Sequence, residues 1–466
     1  MATAHNNKPS RFLPILLAIA IFMQQLDATI LNTALPSMAA DLGQSPLNMQ
    51  SAIIAYALTL AIMMPLSGFL SDKLGTRKLF MGSMIIFIIG SVLCAASNNL
   101  TLLVLARIIQ GLGGAMLTPV ARLTMMQAYE RSKLITVMNY AIMPALIGPV
   151  LGPIIGGYLV EYTSWHWIFL LNVPIGLLGL LATWYIMPDF NHSSNNYFDG
   201  LGFFLFSASA FCMTLTFETM SHANNVLFGC MMAIAGIGAL IAYVAHARQN
   251  NRALYPPHLI LVRTFRLGLA GNLVSRLGMS ALPLLLPLLF QVAFNYDAVN
   301  SGWLLMPLAL AAIFAKPFLK PLMNHFGYRN ILAWNTRIIG ILMMLLALIS
   351  ANTPQWLILL HLCILGACNS LQFTGMNTIT LADLRPNQVS SGTSLMAVNQ
   401  QLALSFGIAI GALLLQSFSH SNFINHNITS AFRITFIILG IFTMLSSWIF
   451  ARLHAMDGEN LLTRKK

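Results

Sequence analysis

Apolar runs of roughly 20 to 27 residues, separated by short polar breaks, recur along the whole chain. They divide it into fourteen segments, at 13–35, 48–70, 78–97, 100–124, 134–160, 166–187, 198–219, 225–246, 266–292, 300–320, 330–350, 355–380, 391–416 and 429–452. About 20 apolar residues at 1.5 Å rise cross a bilayer as a helix. Each segment therefore predicts one membrane span, and all are expected to be helical, because lipid offers nothing to an open strand's backbone and runs this long do not suit a barrel. The first run resembles a secretory signal, since Lys8 and Arg11 precede it and Ser37-Met38-Ala39 looks like a cleavage site. It exceeds the usual h-region of about 7–15 residues and carries Asp27, so it reads as a span.

Composition agrees: 57% of residues are hydrophobic, mean hydropathy is +0.76 and only 8% are charged, against roughly 25% in soluble domains. The net charge of +12 is explained by where the cations fall. Lys8, Arg11, Lys73, Arg77, Lys78, Arg131, Lys133, Arg248, Arg252, Arg263, Lys320, Arg329, Arg385, Arg464, Lys465 and Lys466 all fall on one side of the predicted membrane. The opposite loops, around Asp41, Asn98, Ser164, His222, Asp297, Asn352 and Asn425, receive none. The positive-inside rule then puts both termini in the cytoplasm, and the charge calls for no nucleic acid or acidic partner. Cys94, Cys212, Cys230, Cys363 and Cys368 lie in apolar segments without framework spacing, which argues against a disulfide or metal role. No phosphate loop, metal cluster or nucleophile elbow is present, so neither an ATP-driven pump nor an enzyme is expected, and no cofactor beyond a coupling proton.

Asp72-Lys-Leu-Gly75-Thr-Arg77 after the second segment is echoed by Asn324-His-Phe-Gly327-Tyr-Arg329 after the tenth. The echo predicts two related six-span bundles, 1–190 and 263–466, with residues 191–262 as linkers and an inserted pair of spans.

Asp27 is the candidate chemistry. A carboxylate at membrane depth costs about 2.5–3.5 kcal/mol on insertion scales and is by default a functional group. At 1.5 Å per residue it lies about 21 Å along the first span, and Arg107, entering from the other side, roughly 10 Å below the far surface, so their levels agree. Desolvation and a nearby guanidinium act in opposite senses on a carboxylate's proton affinity. The pair reads either as a proton-coupling element or as a static buried pair that fixes helix packing. Around Gly68 to Lys78, Asp72 is placed to meet a neighbouring helix N-terminus or Arg77 and hold the cytoplasmic side shut, with Gly75 making a tight turn; simple positive-inside anchoring is the alternative. Gly148, Gly152 and Gly156 recur at i, i+4, i+8 and form a face for close helix approach, while Pro144, Pro149 and Pro153 favour a bend. Gln25, Asn32, Gln110, Gln372 and Asn399 are candidate substrate contacts, although interhelical hydrogen bonding explains such residues equally well. Arg276 and Arg337 are expected to snorkel to the cytoplasmic surface and Arg433 to the outer one. The 27 methionines offer adaptable surface or ordinary packing.

Several of these stretches together resemble the major facilitator superfamily, in its fourteen-span drug:proton antiporter branch. Leu26-Asp27-Ala-Thr29-Ile-Leu-Asn32-Thr-Ala-Leu-Pro36 is similar to that branch's first-helix signature, and Gly68-Phe-Leu-Ser-Asp72-Lys-Leu-Gly75-Thr-Arg77-Lys78 to the superfamily's cytoplasmic motif. Arg107-Ile-Ile-Gln110-Gly111-Leu-Gly113-Gly114 resembles the fourth-helix motif. Gly148-Pro149-Val-Leu-Gly152-Pro153-Ile-Ile-Gly156-Gly157 resembles the antiporter motif, and Ser164 to Gly176, with Asn172, is also typical of the branch. The second-half copy departs from the cytoplasmic motif, with Lys320 and Asn324 in place of Gly68 and Asp72. The resemblance implies an all-helical fold of 6+2+6 spans, a monomer in the inner membrane, proton coupling through Asp27 and Arg107, and export of small molecules. Two rivals stay open. One is a dedicated exporter of a single metabolite, an organic acid or metal chelate, which the unpaired inner arginines would suit; the other is a sensor or scaffold without transport.

Overall fold

The computed structural model describes residues 12–129, 131–190, 198–220, 226–250, 252–385, 388–419, 427–454 and 456–458, without the side chains of 131–146, 320 and 390. Lys8, Arg11, His222, Asn425, Arg464, Lys465 and Lys466 lie outside the described residues, as do most of the linker before Asp199 and the side chains of Arg131, Lys133, Asn139, Pro144 and Lys320.

Among the described residues there are helices and no strands. In chain order they are α1 (Leu13–Ile30), α2 (Leu35–Asp41), α3 (Gln50–Met63), α4 (Leu66–Leu74), α5 (Thr76–Ala95), α6 (Leu100–Ala128), α7 (Arg131–Tyr162), α8 (His166–Leu170), α9 (Asn172–Ile186), α10 (Gly200–Met220), α11 (Val226–Gln249), α12 (His258–Leu261), α13 (Arg263–Met279), α14 (Leu282–Leu288), α15 (Ala298–Phe314), α16 (Lys316–Phe326), α17 (Tyr328–Leu345), α18 (Gln355–Leu381), α19 (Val389–Ser419) and α20 (Ile428–Ala451). Eleven helical stretches are long and apolar enough to cross a membrane, or thirteen when two bent pairs each count as one span. The 32-residue α7, whose first half carries no described side chains, stands outside that count.

The bent pairs sit at corresponding places in the chain. The axis turns by 60° between α3 and α4, where Pro65 interrupts the backbone ladder, and by 47° between α15 and α16, beside Pro317. Each second piece then ends on a glycine at positive φ, Gly75 (+87°) and Gly327 (+77°), which caps one helix and starts the next. The polar stretch expected as a loop around residues 68–78 is therefore helical except at Gly75, because polar side chains at the membrane edge do not themselves break a helix.

Packing separates two sets of helices, α1 with α3 to α9 and α13 to α20. At the end opposite the basic loops one apolar core joins both, with Ile30, Leu35, Met38 and Ile53 meeting Leu285, Leu289 and Phe290. Here Gln291 Nε2 donates to the Thr33 carbonyl at 3.0 Å. Toward the basic end the cores divide: Leu17, Phe80, Phe87 and Val120 belong to one set, and Tyr328, Leu332, Ile379 and Phe450 to the other. The hairpin of α10 and α11 bridges the gap on one side, where Tyr243, Ala247 and Tyr255 pack with Ala61 of α3, Met64 just beyond it and Val398 of α19.

Asp199 fixes that hairpin. Its carboxylate accepts from His246 Nε2 (2.7 Å) and from the amides of Gly202 and Leu254 (both 3.0 Å). Burial acts to raise the Asp199 carboxyl, but these donors outweigh it and hold it below its ordinary value. A depressed carboxylate stabilises above its unfolded value, about 3.9, and that stabilisation is lost as pH falls through the folded value. D199N is expected to lower the thermal midpoint at neutral pH and to flatten the loss of stability below about pH 4, read by thermal unfolding in detergent across an acid series.

The glycines of α7 let α1 approach closely. A Cβ on Gly148 would lie 3.0 Å from the Leu26 amide nitrogen of α1, on Gly152 3.0 Å from that of Ile30, and on Gly156 2.5 Å from the Ile30 carbonyl oxygen. Gly68 on α4 meets open space. G152L is expected to cost about 1–3 kcal/mol by overpacking, and G68A to leave stability unchanged; thermal unfolding of the purified variants checks both.

Candidate functional site

Asp27 and Arg107 meet in the interior. Arg107 Nη1 donates to Asp27 Oδ2 at 2.7 Å, and both residues are 1% exposed. The other carboxylate oxygen accepts from Gln110 Nε2 (2.8 Å) and Asn172 Nδ2 (2.9 Å), so three positions on α6 and α9 converge on the one carboxylate of α1. Ser91 Oγ on α5 accepts from the same two amides, at 2.8 and 3.4 Å.

Arg107 has partners besides the carboxylate. Nη1 also donates to Gln110 Oε1 (2.6 Å), Nε donates to the Ala52 carbonyl (3.3 Å), and the guanidinium lies 4.1 Å from the Tyr56 ring centroid and 5.9 Å from that of Phe169. Neutralising Asp27 would leave this cation with hydrogen bonds and aromatic faces rather than bare hydrocarbon. Glycines place it: a Cβ on Gly113 would meet the Ser83 carbonyl and Phe87 amide of α5 at 2.5 Å, and one on Gly111 would lie 2.8 Å from Thr59 of α3. Only a helix lacking side chains at these turns seats Arg107 and Gln110 between α3 and α5.

α7 connects this site to the other set of helices. Gly148, Gly152 and Gly156 lie along α1, which carries Asp27, whereas Gly157 abuts the Ala298 carbonyl of α15 and Gly302 of α15 abuts the Pro153 carbonyl. Pro149 and Pro153 sit within a helix that continues through them.

Arg77 turns away from Asp72: its guanidinium donates to the Trp184 carbonyl and stacks 5.4 Å from the Trp184 ring, and its amide donates to Asp189 Oδ1 at 3.2 Å. Thr76 and Phe190 exchange two further hydrogen bonds of 3.1 Å. Asp72 is part-exposed and Gly68 exposed at the basic end. This strap to the end of α9 through Asp189 went unread in the sequence.

The five candidate substrate contacts divide. Gln110 belongs to the Asp27 shell. Gln372 is fully buried, accepting from Asn335 Nδ2 (2.9 Å) and donating to Thr336 Oγ1 (2.7 Å), so it joins α18 to α17 and lines no open space. Asn32 is 6% exposed. Asn399 donates to the Leu269 carbonyl at 3.2 Å, and Gln25 packs against Gly148. Arg433 is exposed. Arg276 is half-buried, its guanidinium 4.5 Å from the ring centroid of Phe373 on α18. Arg337 donates to Ser447 Oγ (3.2 Å) and lies 4.9 Å from the exposed Trp334 ring.

The family model described as Major Facilitator Superfamily matches residues 17–263 and 268–464. The chain belongs to the major facilitator superfamily. It is 38% identical over 456 residues to a protein of Serratia proteamaculans named "Putative multidrug resistance protein MdtD", covering 97% of this chain and 95% of that one. It is 39% identical over 447 residues to the "Probable transport protein HsrA" of Haemophilus influenzae, covering 95% and 96%. In fold it is similar to a D-xylose–proton symporter (TM-score 0.70, 12% identity, 96% of this chain and 98% of that one) and to the POT family transporter PepTSo (0.69, 12%, 94% and 97%). The protein is thus a multi-pass membrane transporter of this superfamily and not an enzyme.

Removing one member of a buried ion pair strands the other, at a cost of about 3–5 kcal/mol, whereas removing both relieves it. R107M is expected to lose stability in that range and R107M/D27N to lose clearly less, so a double-mutant cycle of thermal unfolding should give a strongly non-additive pair.

Proposed function

We propose that this transporter is a proton-coupled antiporter that exports small molecules across the bacterial inner membrane by alternating access. The observation that carries the reading is the Asp27 carboxylate, sealed among three donors at membrane depth beside the core that closes the end opposite the basic loops. With α7 counted, the helices suit fourteen spans arranged as 6+2+6 around bundles 1–190 and 263–466, with the α10–α11 hairpin inserted within 191–262. The basic ends, carrying Lys73, Arg77, Arg248, Arg252, Arg263, Arg329 and Arg385, suit a cytoplasmic side holding both termini. A monomer suffices for this scheme.

In the cycle, proton binding at Asp27 removes the negative charge that Arg107, Gln110 and Asn172 hold. Arg107 falls back on Gln110 Oε1, the Ala52 carbonyl and Tyr56. The released α1 shifts against the glycine face of α7, and through Gly157 the contact with α15 changes. The two bundles then rock, opening one side and closing the other. Asp72, part-exposed at the basic end, acts as a latch when that end closes. The names of the relatives support drug efflux as the cargo class; a dedicated metabolite exporter would differ in its cavity and not in this coupling.

One proton entering at 100 mV, inside negative, supplies about 2.3 kcal/mol, enough to hold a roughly fortyfold gradient of a neutral substrate. Inverted membrane vesicles carrying the protein should accumulate a lipophilic dye when acidified inside. D27N should fold and localise normally yet fail to respond to the pH gradient. Full gradient-driven accumulation by that variant would remove Asp27 from the coupling.

A further inference from the structure

The second set of helices holds a cation that the coupling scheme does not use. Arg276 sits 13 residues into α13, about 20 Å from its start at 1.5 Å per residue, half-buried, with no carboxylate among the described residues paired to it. An uncompensated charge at that depth is costly and marks a functional position. Arg107 differs in having Asp27, Arg337 in leaning on a serine and an exposed tryptophan, and Arg433 in being exposed.

The surroundings of Arg276 point inward. One turn earlier on the same face, Asn272 donates to Asn377 Oδ1 of α18 (3.2 Å), and that oxygen also accepts from Gln400 Nε2 of α19 (2.8 Å). Three helices therefore converge beside the guanidinium, which excludes a purely lipid-facing position. One turn before Asn377, Phe373 presents its ring to Arg276 and remains 38% exposed. Two buried acceptors lack hydrogen-bond partners, Asn272 Oδ1 and, one turn before Phe373, Asn369 Oδ1. The cluster thus offers a guanidinium held flat by an aromatic face, an accessible ring, and acceptors awaiting a donor.

We propose that Arg276, Phe373, Asn272 and Asn369 recognise an organic anion with an apolar or aromatic body, the missing counter-charge being supplied by the substrate. The proposal rests on the export reading above and narrows its cargo. A carboxylate matches the guanidinium fork in charge and geometry, the body stacks on Phe373, and a hydroxyl or amide donor on the substrate satisfies the free asparagine oxygens. A cation would meet uncancelled repulsion at the same place. The charge also suits the energetics: an anion leaving while a proton enters moves two charges down the potential. The gradient limit at 100 mV rises from roughly fortyfold to about 2,000-fold.

The test uses purified full-length protein in detergent and three probes of matched body, 1-naphthoate, 1-naphthalenemethanol and 1-naphthylmethylammonium, with binding measured by equilibrium dialysis. The wild type should bind the carboxylate at least tenfold more tightly than either analogue. R276Q should erase that preference, R276K should retain part of it, and F373L should weaken all three while leaving their order unchanged. D27N should keep the wild-type preference. Equal binding of the three probes by the wild type, or an undiminished preference in R276Q, overturns the proposal. Loss of pH-driven transport with the anion preference intact would count against proton coupling alone, and pH-driven transport without the preference against anion recognition alone.

Discussion

A carboxylate in hydrocarbon has to be matched by positive charge or hydrogen bonds wherever it goes, and much of this molecule is arranged around meeting that demand at Asp27. Arg107 supplies the charge from α6, Gln110 the next turn of the same helix, and Asn172 the start of α9. Ser91 on α5 receives the amides that would otherwise compete with one another. Each partner comes from a separate helix or turn, so the charge state of one oxygen pair bears on the relative positions of α1, α5, α6 and α9. Such a group is poorly suited to adding stability, since desolvation offsets most of the attraction in a buried pair. It is well suited to making the positions of those helices depend on one another.

For that dependence to reach the rest of the protein, α1 has to be mechanically joined to something that crosses between the helix sets. The glycine face of α7 does this. With no side chain on α7 at these turns, the backbones of α1 and α7 come together at Leu26 and Ile30, and a displacement of α1 is passed to α7. The next glycine along, Gly157, makes the same kind of backbone contact with Ala298 on the other set. α7 therefore touches both the helix that carries Asp27 and a helix of the other set.

The outline of this was legible in the sequence because membrane constraints are written in composition. Apolar length marked the spans, and the depth of Asp27 and Arg107 followed from rise per residue, which is rigid in a helix. The partners that complete the site were harder to read. Asn172 lay inside an apolar run with nothing in its spacing to tie it to Asp27, since the link is tertiary and spans 145 residues. Asp189 looked like part of a polar linker, yet it receives the Arg77 amide. The intramembrane glutamines misled for the opposite reason: Gln110 and Gln372 are polar groups at membrane depth, which is equally the signature of a cavity wall and of a satisfied helix contact. Only packing separates the two.

The two helix sets, though built on the same bent-pair plan, handle charge differently. In the first, the buried cation has a resident carboxylate and the site is closed and fully partnered. In the second, Arg276 has an aromatic ring and, among the described residues, no acidic partner, and two neighbouring acceptors are unfilled. A transporter that exchanges a proton for a substrate needs one site whose charge changes by a proton alone and another whose charge is completed by cargo. If both sets carried the same ion pair, substrate would have nothing to neutralise. If neither did, the proton would have nowhere to act. The asymmetry between Arg107 and Arg276 is what the proposed exchange would require of two otherwise parallel halves.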